Sequence, residues 1–252
     1  MKNSSQVKRD IPDLHPIKFL RQALVGRYIL LMTALLLMMA FSPLIGTMGQ
    51  FDRFYVGDLI TIFLLAASFM TFVKVGRHAI AILLLATVSL VLGIGARIPE
   101  NPSIPLEIAG MSIEAFLLGY IILLVSVDIF TTNEVDANTL CGSVSVYLLL
   151  GGFFAMLYSI VYMVDPANFA GITEIEGQDP TLGPNRTMIY FSLVTLTTLG
   201  YGDIHPTTAI TRSITNVESI IGQLYLTVLV ARLVGQHLVD RAQQTSMNNS
   251  EN

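Results

Sequence analysis

Charge is scarce in this chain. Asp, Glu, Lys and Arg together make up 13% of its 252 residues, against about 25% in a soluble domain. So few charged side chains could not cover a water-exposed surface, which excludes a cytosolic enzyme and a disordered protein. Cysteine is nearly absent too. The single Cys141 has no intrachain disulfide partner, so a disulfide-built secreted module is excluded. Positive charge is not in excess: the formal net charge is −4 and the pI is near 5.5, which gives no reason to expect a nucleic-acid partner. What abounds is apolar. Hydrophobic residues make up 53% of the chain and the mean hydropathy is +0.65. Lipid must therefore be part of the solvent.

A helix needs about 20 mainly apolar residues to cross a bilayer core of about 30 Å. Six segments qualify or nearly qualify: 28–46, 56–75, 79–96, 104–127, 141–164 and 208–239. A further apolar stretch, 187–199, has only 13 residues, too few to span, and reads as re-entrant or buried. Six basic residues precede the first span: Lys2, Lys8, Arg9, Lys18, Arg21 and Arg27. Its apolar run is longer than that of a signal peptide and no small-x-small cleavage site follows. It is expected to be retained, with the N-terminus in the cytoplasm. Lys74 and Arg77 then also fall inside. The loop 128–138, with three acids and no base, runs against the rule locally. Six spans place both termini in the cytoplasm and the long polar loop 165–186 outside.

The re-entrant stretch closes on Thr198-Leu199-Gly200-Tyr201-Gly202-Asp203. A dehydrated cation needs a column of oxygens in place of water. Five residues of nearly extended chain span roughly 15 Å, but successive carbonyls of an ordinary strand point to opposite sides. Turning them all toward one axis requires alternating backbone handedness, with some positions at φ > 0, which Gly200 and Gly202 supply without a Cβ penalty. Leu199 and Tyr201 then face outward into surrounding protein, and Thr198 adds its hydroxyl at the inner end. One chain makes a quarter of each oxygen ring. The helix before this loop is expected to start at Pro184-Asn185, with Asn185 as N-cap, and to aim the negative end of its dipole, near Thr197, at the pore centre.

This segment resembles the selectivity-filter signature of potassium channels, with Leu199 where the usual form has Val. The resemblance covers roughly residues 184–235. It implies an all-α transmembrane fold: six membrane-spanning helices plus a re-entrant pore helix and filter loop, assembled as a tetrameric pore. The chain then divides into a cytoplasmic N-terminal segment 1–27, a four-helix transmembrane region 28–127, a pore domain 141–239 and a cytoplasmic tail 240–252. Within the pore domain lie an outer helix 141–164, a turret 165–186, a pore helix 187–198, a filter 198–202 and an inner helix 208–239. K+ would be held at Thr198, Leu199, Gly200 and Tyr201, with Gly202 completing the filter. Thr197, Asp203, Tyr190 and Phe191 would support it, the two aromatics as a cuff. Some family members carry a pore-helix Glu bonded to the Asp behind the filter; this chain has Val194 there.

Gly222 stands 20 residues after Gly202, where this family commonly has a hinge glycine. A glycine within a helix costs about 1 kcal/mol relative to Ala. A gating hinge is expected ahead of close helix packing. Helical spacing puts Gln223, Leu226, Val230 and Val234 on one face, the expected lining of cavity and gate, and carries Arg232 to the cytoplasmic surface. Glu114 and Glu218 lie within spans, where an ionised acid is costly. Glu218 is expected to brace the inner helix against the pore helix, and Glu114 to pair with Arg97 or a polar group. The span 104–127 contains no Lys or Arg, so it cannot be a voltage sensor. The outer mouth collects Asp165, Glu174, Glu176, Asp179 and Asp203 around a single Arg186. His205 beside it is expected to be structural.

The function these residues imply is passive, potassium-selective conduction by a homotetramer in the cell membrane. The chain would be no enzyme and have no cofactor beyond permeant K+. Its partners would be three further copies of itself and the lipid bilayer, with no nucleic acid. A potassium-transporter subunit and a non-conducting or regulatory channel subunit are the alternatives.

Overall fold

The computed structural model describes residues 27–45, 77–96, 103–132, 136–172 and 185–250, with side chains described over 28–40, 80–96, 103–132, 136–172 and 187–236. The expected span 56–75 lies outside the described residues. The elements in order are α1 (Arg27–Ile45), α2 (Arg77–Ala96), α3 (Ile104–Thr131), α4 (Ala137–Val164), a 3-10 turn (Pro166–Asn168), β1 (Phe169–Ala170), α5 (Asn185–Leu196), β2 (His205–Pro206) and α6 (Ala209–Ser250). Among the described residues three helices are long and apolar enough to cross a membrane: α3, α4 and α6 over Ala209–Gln236. The protein is a mainly helical membrane protein.

Helix ends lie where the local chemistry puts them. A proline in the first turn of α3 supplies a φ already suited to a helix, where its missing N–H is not needed. Asp136 caps α4, its carboxylate accepting from the Thr139 backbone N–H and hydroxyl, each at 2.7 Å. Burial pulls this carboxyl's pKa up, but the hydrogen bonds outweigh it and hold it below the usual range. The expected polar loop 128–138 is therefore mostly helix, with α3 running on to Thr131 and α4 starting at Ala137. Asp128 does not end its helix because its carboxylate accepts the Tyr28 hydroxyl of α1 at 2.5 Å. At the other end of the chain, α6 continues eleven residues beyond the expected limit of 239, to Ser250. No proline or glycine after Gly235 interrupts it, so the expected separate tail 240–252 is largely helical.

The helix α4 is the centre of the fold, packing against α1, α3, α5 and α6, while α2 packs on α3. The main core is aliphatic, with Leu31, Ile121, Val125, Val146 and Leu149 all buried. Small residues let the helices approach closely. A Cβ built on Gly142 would fall 2.9 Å from the Tyr28 ring, and one on Gly151 would fall 2.9 Å from Leu193 of α5. A second, aromatic cluster lies between α4 and α5. There Tyr158 meets Phe191 edge-on at 5.0 Å, and Phe169 meets the same ring at 5.4 Å.

The first part of the expected polar turret, 165–172, is not an irregular loop. It makes a 3-10 turn, and β1 pairs antiparallel with β2, Phe169 opposite Pro206 and Ala170 opposite His205. Apolar side chains explain this: Phe169 and Ile172 are buried in the aromatic cluster, so the backbone beside them needs partners of its own.

Candidate functional site

The helix α5 ends at Leu196, two residues short of the expected 198, and residues 197–198 form a turn. Its first residue is Asn185, so the expected N-cap lies inside the helix by assignment. A helix leaves its last four carbonyls without internal partners, and here all four are taken. Leu193 O accepts the Thr197 N–H at 3.0 Å, and Val194 O accepts the Leu199 and Gly200 N–H groups at 2.9 and 3.2 Å. Thr195 O accepts the Thr198 N–H at 3.0 Å, and Leu196 O accepts the Tyr147 hydroxyl of α4 at 2.9 Å. The helix end is thus tied directly to the segment that follows, and its dipole ends where that segment begins.

Along this segment, every second residue has a left-handed backbone: Thr198 at φ 59°, Gly200 at φ 58° and Gly202 at φ 77°. This is the alternation of handedness that a single-sided row of carbonyls requires. The glycines reach it without strain. Thr198, a β-branched residue, does not, and such a position stores about 1–3 kcal/mol. That strain was not legible in the sequence, because threonine gives no signal for φ > 0. Leu199 and Tyr201 are 55% and 67% exposed, so the chain's own residues do not enclose their side chains as the sequence reading expects.

The supporting residues divide into two groups. The Tyr190 hydroxyl donates to Asp203 Oδ2 at 2.6 Å, which ties α5 to the residue directly after Gly202. That hydrogen bond holds the Asp203 carboxyl below the usual carboxylate range. Asp203 is thus bonded from α5 by Tyr190, whereas Val194 is buried and apolar. Phe191 points elsewhere: it is buried against Tyr158 and Phe169 in the aromatic cluster. The two aromatics of the expected cuff face different neighbours, because successive helical residues lie about 100° apart. Thr197 returns its hydroxyl to Leu193 O at 2.6 Å, within its own helix.

Glu218 of α6 is completely buried. Tyr158 of α4 donates to its Oε2 at 2.5 Å, and Ser192 of α5 bonds its Oε1. The carboxyl braces three helices together, as the sequence reading expects for α6 and α5. Ser192 also donates to Gly151 O at 2.8 Å. Three oxygen–oxygen contacts meet here, while Ser192 and Tyr158 bring one hydroxyl proton each. A neutral carboxyl would supply the third proton. Glu114 is half-buried on α3, and Arg97 lies outside the described residues.

Gly222 sits where α6 crosses the end of α5. A Cβ there would fall 2.8 Å from Leu196 O and from Leu196 Cδ1. Close packing is by itself reason enough for a glycine at this position. Tyr225, one turn on, stacks on Tyr147 at 6.1 Å and donates to Ser143 O at 2.7 Å. Gln223, Leu226, Val230 and Val234 are all exposed on α6. Only 11% of the apolar window of α6 is buried. Arg232 donates to Thr132 O at 2.6 Å and lies 5.2 Å over the Phe130 ring. Its positive charge sits against the C-terminal end of α3, the favourable end of that dipole.

Outside the filter-like segment, a polar knot that no sequence motif announces joins residues 165–168 to the start of α6. Asn168 Nδ2 donates to Val161 O and Asp165 O, and its Oδ1 accepts from Thr208 Oγ1 at 2.7 Å. Thr207 N–H donates to Asn168 O at 3.0 Å. Asp165 caps the 3-10 turn, accepting from Ala167 N–H at 3.0 Å. His205 is exposed, opposite Ala170. Of the other expected mouth acids, Glu174, Glu176 and Asp179 lie outside the described residues, as does the side chain of Arg186. Among the described residues no cluster of His, Cys, Asp and Glu could hold a metal ion.

Residues 184–237 match the family model described as Ion channel. This range contains α5, the left-handed alternation and most of α6. Over 122 residues the chain is 31% identical to Protein LctB of Bacillus caldotenax, a stretch that is 48% of this chain and 90% of that protein. No solved structure matches the chain. With nearly the whole of a relative covered at that identity and the pore segment matched, the chain belongs to the ion-channel family.

Proposed function

We propose that the chain is a potassium-selective channel subunit, four copies of which enclose a passive pore in the cell membrane. The observation that carries this reading is the alternation of left-handed φ at Thr198, Gly200 and Gly202, in a Thr-Leu-Gly-Tyr-Gly-Asp sequence held by the carbonyls of a short helix. Carbonyls of 198–201, with the Thr198 hydroxyl, would replace the hydration shell of K+. A sodium-selective filter would be expected to place a carboxylate within the oxygen-lined stretch, and 198–202 contains none. Four copies are needed because one chain contributes one wall, and identical interfaces close on themselves in a ring. The exposure of Leu199, Tyr201 and most of the described side chains of α6 over 209–236 supports this, since neighbouring copies and lipid would cover those side chains.

Six spans, with both termini in the cytoplasm, follow from the apolar segments and the basic N-terminal region. In this arrangement Gln223, Leu226, Val230 and Val234 line the inner cavity and gate. Catalysis is no part of this function, and permeant K+ is its only ligand. The test is ion flux from the purified chain in liposomes under potassium and sodium gradients. Autonomous potassium flux supports the channel; a chain that assembles but conducts only with another subunit present is a regulatory subunit.

A further inference from the structure

We infer that Gly171, at the root of the turret, is a positioning residue that sets the outer end of the filter. The inference rests on the channel reading above and goes beyond it by assigning part of selectivity to a segment 27 residues upstream of the motif.

Gly171 has φ +90°, a conformation that L side chains rarely adopt. The space is also closed. A Cβ at this position would fall 1.8 Å from Asp203 O, 2.9 Å from its carbonyl carbon and 3.3 Å from Ile204 Cα. Those are backbone atoms, so no rotamer change could relieve the overlap. Asp203 directly follows Gly202, the last left-handed position of the alternation. A displaced Asp203 carbonyl must therefore be absorbed by the torsions that join it to Gly202.

Gly171 cannot give way instead, because the chain before it is fixed on both sides. Phe169 is buried between Tyr158 and Phe191, and β1 is paired with β2. The Thr207 hydroxyl bonds Ala167 O, and Asn168 is tied back to Val161 and Asp165. The Asp203 side chain is thus bonded by Tyr190, and its main-chain carbonyl lies so close to Gly171 that a Cβ there has no room. Gly200 and Gly202, by contrast, have nothing within 4 Å of a built Cβ. The close approach that locates the motif from outside is at Gly171, not within the motif.

The test uses the full-length chain, purified and reconstituted. Permeability of K+ relative to Na+ is read from reversal potentials, and tetramer stability from thermal melting. Gly171→Ala should lower the permeability ratio by about tenfold or more in tetramers that still assemble. Thr207→Val, which removes the bond to Ala167 O without adding an atom near Asp203, should lower it by a smaller factor. Gly152→Ala, where the nearest atom to a built Cβ is 3.9 Å away, should leave it unchanged. Wild-type selectivity in an assembled Gly171→Ala tetramer overturns the inference. Should Gly171→Ala not assemble, wild-type selectivity in Thr207→Val overturns it. A wild-type chain that conducts no ion defeats the channel reading alone. Amide exchange then decides: faster exchange over 199–207 in Gly171→Ala than in wild type, with α1–α4 unchanged, supports the positioning role, and equal exchange over 199–207 contradicts it.

Discussion

The Tyr190 hydroxyl donates a 2.6 Å hydrogen bond to Asp203 across 13 residues of chain, joining the middle of α5 to the residue directly after Gly202. Since the bond favours ionised Asp203, it holds the carboxyl's pKa down. For an acid whose pKa is lowered in the folded state, the contribution to stability is present above its ordinary pKa and is lost as pH falls through the lowered one. The brace should therefore persist into moderately acid solution. In Tyr190→Phe the Asp203 pKa should rise toward the ordinary value of about 3.9, and the acid limb of flux against external pH should move upward with it. An acid limb unchanged in Tyr190→Phe would show that this pair does not set filter stability.

Gly222 separates packing from hinging. With Leu196 O at 2.8 Å from a built Cβ, Gly222→Ala should force α6 away from α5 at a cost of about 1–3 kcal/mol. Thermal melting of the tetramer should show a lower midpoint. An unchanged midpoint combined with altered opening would return the residue to the hinge role.

The Glu218 cluster makes a paired prediction. Glu218→Gln keeps one acceptor and gains donors, so the contacts to Tyr158 and Ser192 can all be made. Its effect on stability should be small. Glu218→Ala strands the Tyr158 hydroxyl, at about 1–3 kcal/mol for a group left unsatisfied, while Ser192 keeps its bond to Gly151 O. Melting midpoints of the two variants decide the matter, and equal losses would mean that an ionised carboxylate, not a neutral one, holds these helices.

Voltage dependence should be shallow. The helix α3 carries no Lys or Arg, so an effective gating charge of about one or less per tetramer is expected, against a dozen or more in a sensor array. Arg232 ties α6 to the end of α3, but a charge held at a helix terminus moves through little of the field. Open probability between about −100 and +100 mV is the measurement, and steep activation would overturn the reading of these helices.

The sequence made some of this legible and hid the rest for physical reasons. Long apolar runs marked α1, α2, α3, α4 and α6 because lipid demands length and hydropathy. Gly200 and Gly202 announced their φ values, since glycine is the residue for which φ > 0 is cheap. Thr198 shares that conformation and could not be foreseen, since its strain is imposed by its neighbours. Glu218 was readable as a brace because a buried acid must have partners. Its partners Tyr158 and Ser192 were not, because the contacts span 60 and 26 residues. The direction of Phe191, the clamp on Asn168 and the closeness of Gly171 to Asp203 all depend on tertiary contacts that no local pattern encodes. The extension of α6 to Ser250 is not legible from polarity, which does not mark the end of a helix. Polarity marks only where an apolar stretch stops.

The most direct test of the central claim is the reversal potential of the purified, reconstituted chain with potassium on one side and sodium on the other, alongside Gly200→Ala. Alanine meets no atom at that position but must adopt φ 58°, at about 1–2 kcal/mol of backbone strain. The account predicts a wild-type potential set by potassium and a loss of selective potassium flux in Gly200→Ala, with assembly retained. Equal permeation of the two ions by the wild type, or full selective flux in Gly200→Ala, would contradict it.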